Sequence, residues 1–325
     1  MLSFFRTNQI FNSVLLIFYI LILWGAQYFV PNSWLAESNG IFAEWLLSHT
    51  GTGTIWSRII ALFLLLFNAT FINYLVAEFR LDYDMNLFPG LFYILVSCCI
   101  PEFLHLSPIL IANTFLLFAL LNLLKTYKNS QPAVLIFNTG FWIAIASLFY
   151  FSFVIFLLMG LIGLSILRAF KIRERLMMIC GFIVPYFLLG TIYFWLDQFG
   201  LFWSRQVTDN IKWMDYYGTL DATTYVKLGA FALLILWVIF NSGVYNFKKN
   251  IQIQKRISVL FWVLLFAGFT VFFQAKISLT HLQIITIPVG IFLGLTFSRL
   301  PSNVAESIHF ILLILAVALQ LKVLL

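Results

Sequence analysis

The few charges in this chain fall between long apolar runs: Arg6, then Lys125 and Lys128, then Arg168, Lys171, Arg173 and Arg175, then Lys248, Lys249, Lys255 and Arg256. Apolar stretches near twenty residues must satisfy their own backbone where no water reaches, which restricts them to helices or a closed barrel. These runs are too long and too uniformly apolar for barrel strands. A soluble chain carries about a quarter charged residues; this one, 325 residues long and 62% hydrophobic, carries 10%. The expectation is an all-α polytopic transmembrane bundle, one integral membrane domain over residues 1–325.

Windows near twenty residues predict helices at 11–30, 55–77, 87–104, 107–124, 134–150, 152–168, 176–196, 226–246, 257–274, 282–298 and 307–325. That gives nine to eleven spans, since the short third to sixth windows leave room for one re-entrant hairpin. The first run ends at Tyr28-Phe29-Val30-Pro31 without a small-residue cleavage pattern and reads as a retained helix. With the N-terminus inside, the inward ends carry Arg6, Arg80, Lys125, Lys128, Arg168, Lys171, Arg173, Arg175, Lys248, Lys249, Lys255, Arg256 and Arg299, 13 of the 19 basic residues. The positive-inside rule therefore favours a cytoplasmic N-terminus in a bacterial inner membrane, and an odd span count puts the C-terminus outside. The net charge of +7 follows this topology. No basic patch is interleaved with a stacking platform, so nucleic acid is not an expected partner.

Two connectors exceed a tight turn, and both fall outside. In residues 31–58, Asn39-Gly40 precedes Ile41, Phe42, Trp45 and Leu46 on one helical face; residues 197–227 space Trp203, Val207 and Ile211 by four. Both read as helices lying flat in the interface.

No Asp, Glu, Lys or Arg falls in the middle of a predicted span, which argues against proton pumps, voltage sensors and most ion-coupled transporters. Asn68, Thr70, Asn73, Asn113, Thr114, Asn138, Thr139 and Asn241 do lie at depth. Interhelical hydrogen bonding is their ordinary role; the functional alternative is a polar groove for a lipid head group. Gly290 and Gly294, beside Pro288, and Gly160 with Gly163 are expected at close helix contacts. Asp82-x-Asp84 invites Mg2+ or Mn2+ beside a diphosphate, but two carboxylates in a short loop are more simply solvated and paired with Arg80. Cys98, Cys99 and Cys180 read as small packing residues, and no metal or disulfide spacing exists. His49, His281 and His309 read as interface residues. The outward carboxylates Glu37, Glu44, Glu102, Asp197, Asp209, Asp215 and Asp221, together with His105, sit on connectors able to converge. A carboxylate there can act as general base, and a histidine or cation can stabilise a leaving phosphate.

The opening Met1-Leu-Ser-Phe-Phe-Arg-Thr-Asn-Gln-Ile-Phe-Asn, the stretch from Arg80 to Tyr93, Ser107-Pro-Ile-Leu-Ile-Ala-Asn-Thr-Phe, Phe137-Asn-Thr-Gly-Phe-Trp-Ile-Ala, and Arg175 through Pro185-Tyr-Phe resemble an uncharacterised family of polytopic inner-membrane proteins typical of Bacteroidota. More distantly, the layout is similar to the membrane half of type C glycosyltransferases, with a long first outward loop, short paired helices and a glycine-led span from about Gly140. That resemblance implies cell-envelope biogenesis on a polyprenyl-phosphate-linked glycan or another membrane lipid head group at the outer face, with no cofactor. Where that superfamily usually carries Asp in its first outward loop, this chain offers Glu37 and Glu44; where an acid often follows the second outward turn, it has Asn113-Thr114. As an enzyme it would use Glu44 or Glu37 as base, Glu102 and His105 in support, Arg205 or Lys212 on phosphate, and Asn113 and Asn138 along the groove. Two rivals stand beside this reading. One is a non-enzymatic subunit of a larger secretion or motility complex, with membrane-protein partners; the other is a transporter of an uncharged or lipidic solute.

Overall fold

A computed structural model of the protein describes residues 2–7, 10–25, 40–51, 53–210, 222–246, 249–270 and 279–321. A 3-10 turn at Leu2–Arg6 leads into α1 (Ile10–Trp24). Then follow α2 (Ile41–Thr50), α3 (Ile55–Glu78), α4 (Phe88–Cys98), a 3-10 turn at Pro101–Phe103, α5 (Pro108–Lys125) and α6 (Ala133–Phe149). A 3-10 turn at Phe151–Ile155 opens α7 (Phe156–Leu167), followed by α8 (Ile172–Trp195), α9 (Phe199–Trp203) and a π turn at Ser204–Thr208. The remainder is α10 (Ala222–Phe240), α11 (Ser242–Asn246), α12 (Ile251–Phe269), a 3-10 segment Leu279–Ile285 continuing into α13 (Thr286–Phe297), and α14 (Ser302–Leu321). Among the described residues there is no strand.

Six of these helical segments are long and apolar enough to cross a membrane, and five shorter apolar ones accompany them. Each of the eleven predicted windows holds one. Cross-chain bonds group their ends into two sets. At one end Arg6 donates to the Leu300 carbonyl (3.1 Å), Leu87 N–H to Phe5 O (2.9 Å), Arg256 to Phe79 O (3.3 Å), Lys249 to Leu81 O, and Arg168 to Thr126 O and Asn129 O (2.9 and 2.8 Å). At the opposite end Gln320 donates to Leu23 O and Cys98 O, and Gln206 to Ser147 O (2.9 Å). The cations predicted to share a side therefore gather at one end, called here the basic end. Arg168 is also held by both oxygens of Glu174 (3.0 and 3.1 Å), a fork geometry that only a guanidinium fits.

The interior is built on backbone contact. Every residue of α4 and of α13 is buried, and Gly290 and Gly294 face α4 so closely that a Cβ would lie 2.7 Å from Tyr93 Cα and 2.5 Å from Pro89 N. The expected role of this G-x-x-x-G is thus observed. A second seam joins α6 and α8, where a Cβ on Gly140 or Gly181 would meet the carbonyl oxygens of Met178 or Phe137 at 2.0 and 2.2 Å. Polar side chains at depth bond internally: Asn73 accepts from Gly90 N–H (2.7 Å), and Asn68 donates to the Tyr93 hydroxyl (3.2 Å). Cys98 and Cys99 are buried as expected, whereas Cys180 faces outward from α8.

His309 and His281 depart from expectation. Both are buried: His309 bonds Tyr19 (3.0 Å) inside α14's contact with α1, and His281 bonds Tyr150 where the 3-10 segment meets the turn before α7. A buried imidazole with a phenol partner satisfies one ring nitrogen without water, which a polarity scale reads only as a wet residue. Only His49 of the three is exposed.

Candidate functional site

The end opposite the basic one carries Glu44, Glu102, His105 and Arg205 of the predicted site residues, with Asn113 deeper in. Gly40 starts α2 with its Cα face pressed on the end of α6, where a Cβ would lie 2.2 Å from Leu148 O. The buried Gln206 ties this corner together, accepting from Ile41 N–H (3.0 Å) and donating to Ser147 O (2.9 Å), while Ser147 and Tyr186 share a 2.7 Å hydroxyl contact. The amide thereby fixes α2 against the π turn. On the outer surface of the same joint Glu44 Oε2 receives Arg205 Nη1 at 2.7 Å. The predicted base and the predicted phosphate ligand are thus each other's partners, and the pair is open, with side chains 37% and 52% exposed. Trp45, Trp195 and Trp203 stand exposed around these elements, as amphipathic rings do at a membrane–water boundary. A groove of about 850 Å3 lies along the last turns of α8, past Leu188, Ile192 and Phe194 to Asp197.

Glu102 and His105 lie in the tight turn between α4 and α5, as expected, but Glu102 faces inward. It forms a buried ion pair with Lys227 of α10, while its Oε2 has no hydrogen-bond partner among the described residues. Facing rings set the turn's depth: Phe71 of α3 contacts Phe118 of α5 at 5.2 Å, which puts Ser107 about one turn inside the start of α3 at 1.5 Å per residue. His105 is largely enclosed, with Nδ1 unpartnered, and burial pushes its pKa down to about 4. Deeper in, Asn113 donates to Gln283 O (2.9 Å) and Ser107 contacts Gln283 Oε1 at 2.5 Å; Asn113 Oδ1 and Gln283 Nε2 have no partner among the described residues. Buried amide atoms of this kind are where internal water or a polar ligand gains most.

Asn138 does not join this group. It lies in the second turn of α6, which starts at the basic end. Glu37 and Lys212, with Asp215 and Asp221, lie outside the described residues; Asp209 is exposed. Sequence reasoning missed Lys227, Gln206, Gln283 and His281 as partners. Lys227 sits 125 positions from Glu102, and nothing in local spacing links them. At the basic end Asp82 is not paired with Arg80: it caps its own loop, accepting from Tyr83 N–H and Asn86 Nδ2, both at 2.8 Å. Among the described residues no cluster of three or more His, Cys, Asp or Glu suited to a metal ion occurs. No protein-family model, curated protein or solved structure matches the chain.

Proposed function

We propose that this is a multi-pass protein of the bacterial inner membrane, crossing it nine to eleven times with the basic end cytoplasmic, and that it acts on a polyprenyl-phosphate-linked glycan or similar lipid head group at the outer face. The observation carrying this reading is the open Glu44–Arg205 pair between α2 and the π turn after α9. A phosphate competing for Arg205 frees Glu44, coupling substrate arrival to release of the base. Glu44 then takes the proton of an acceptor hydroxyl, whose oxygen attacks the sugar carbon; that carbon's bond to the phosphate oxygen breaks, and Arg205 stabilises the charge left on phosphate. The apolar groove at the same end of α8 offers a place for the chain of such a lipid.

The test is a deletion strain complemented at normal expression with Glu44→Gln, Arg205→Gln, or the charge-swapped Glu44→Arg/Arg205→Glu. Mass spectrometry of extracted lipids should show altered polyprenyl-linked precursors in all three, including the swap, which keeps the ion pair but misplaces base and cation. Wild-type profiles in the three strains overturn the catalytic reading. The neutralisation of Glu44 and Glu102 by Arg205 and Lys227 favours one rival, a non-enzymatic subunit of an envelope complex; a stoichiometric partner on native purification, with unchanged lipids, would establish it.

A further inference from the structure

At the basic end a cavity of about 430 Å3 opens between residues 80–86 and the start of α12, and charges of both signs line it: Arg80 and Lys249, Asp82 and Asp84. Their partners differ. Asp82 is consumed by its loop, and Lys249 gives one of its three N–H groups to Leu81 O. The side chains of Arg80 and Asp84 have no partner among the described residues. A free cation and a free anion thus line one cavity without neutralising each other.

Arg80 is held there against backbone preference. Helix α3 ends in a Schellman motif, Leu81 N–H to Val76 O (3.0 Å) and Arg80 N–H to Ala77 O (3.1 Å), with Arg80 at the left-handed position, φ 49°. Glycine takes that position without strain; an arginine there is disfavoured unless its side chain is used. Lys249 and Arg299 both stand near the Tyr83 ring, 5.4 and 5.5 Å from its centre. Burial and the neighbouring Arg299, opposed by Asp82, lower the Lys249 pKa to about 8, which leaves it mostly charged near neutral pH, and a bound anion would raise that pKa. Val76, Ala77 and Ile253 give the cavity an apolar wall.

We propose that this cavity binds the head group of a zwitterionic phospholipid, a phosphodiester bearing a primary ammonium, with phosphate on Arg80 and Lys249 and the ammonium on Asp84. A purely anionic head group would meet the Asp84 carboxylate as a like charge. A quaternary ammonium has no N–H to donate to it. The apolar wall suits the adjoining acyl chains, and the basic end is where such head groups lie under the topology proposed above.

The experiment is native mass spectrometry of the full chain, purified in mild detergent and offered phosphatidylethanolamine, phosphatidylglycerol or phosphatidylcholine. Retention of the ethanolamine lipid should exceed the others by about tenfold or more, roughly what one charge-assisted hydrogen bond supplies. Asp84→Asn should erase the preference while still retaining phosphatidylglycerol. Arg80→Gly should lower retention of every phospholipid while thermal stability holds or rises, because glycine relieves the backbone; this separates loss of the site from loss of fold. Displacement of the lipid by soluble glycerophosphoethanolamine would support recognition of the head group itself, from either source, and resistance with the preference intact would restrict the site to lipid. Equal retention of the three lipids, or an Asp84→Asn profile like wild type, overturns the proposal. Because Glu44 and Arg205 lie at the other end, failure here leaves the catalytic reading standing, and the reverse also holds.

Discussion

Replacing Lys227 by methionine keeps most of the side chain's volume and removes the only partner that a buried carboxylate has among the described residues. The Glu102 and Lys227 side chains are 6% and 8% exposed, so water screens the pair little. At contact, about 3 Å, and an effective dielectric near 20, their attraction is roughly 5 kcal/mol, and desolvating the two ions together costs about as much. The intact pair is then close to neutral for stability, while stranding Glu102 should cost about 3–5 kcal/mol. Glu102 Oε2 has no hydrogen bond to soften that loss. The double variant Glu102→Leu/Lys227→Met buries no charge and should fall within about 1 kcal/mol of wild type, recovering about 2–4 kcal/mol relative to Lys227→Met alone. Equilibrium unfolding in mixed micelles, followed by tryptophan fluorescence, reads each variant. Arg205→Gln serves as control, since an exposed pair contributes about 0–1 kcal/mol. A Lys227→Met protein within about 1 kcal/mol of wild type, or a double variant as unstable as the single, would refute the argument.

The α4–α13 seam gives a second expectation. Gly290→Ala must push a methyl into Tyr93 backbone and should cost at least about 1–3 kcal/mol, whereas Gly268, with nothing within 4 Å of a built Cβ, should accept alanine with unchanged or higher stability in the same unfolding assay. The third concerns acid. His105 has its folded pKa lowered to about 4 by burial, against about 6.5 unfolded, so the unfolded chain binds the extra proton first. Its contribution is complete above pH about 6.5 and is lost as pH falls towards 4; His105→Gln should flatten that part of the stability–pH curve, and an unaltered slope would contradict it.

The helices were legible because burying backbone in an apolar medium imposes a length and composition that a window detects, and each of the eleven predicted windows holds an apolar helix among the described residues. The glycine seam was legible for a similar reason, since Gly290 and Gly294 are one turn apart on one helix. What escaped was pairing across the chain. Glu102 looked like a water-facing turn residue because its neighbours are turn residues, and only the approach of α10 reveals it as half of a buried pair. Lys255 and Arg256 led to a predicted start at 257 for a helix that begins at Ile251, because charges at a helix end look like connector until their stems are seen to pack, as Arg256 does over Phe79 at 4.5 Å. Asp82-x-Asp84 invited a metal, yet one carboxylate is spent on its own loop. Burial and partner choice are properties of the assembled fold, and residue spacing along one strand of text does not contain them.

Four cations of the basic end, Arg6, Arg168, Lys249 and Arg256, donate to carbonyls in other parts of the chain, and this sets an order of events during synthesis. Arg168 finds Thr126 and Asn129 within one emerging hairpin, so that corner can lock early. Arg6 must wait for Leu300, 294 residues later. Under the proposed topology the residue that orients the first helix is therefore also a latch that closes only when the connector between α13 and α14 has been made. A ribosome-bound fragment should hold its orientation long before it holds its shape, and the first helix should remain open to proteolysis or to a neighbouring chain until α13 and α14 have arrived.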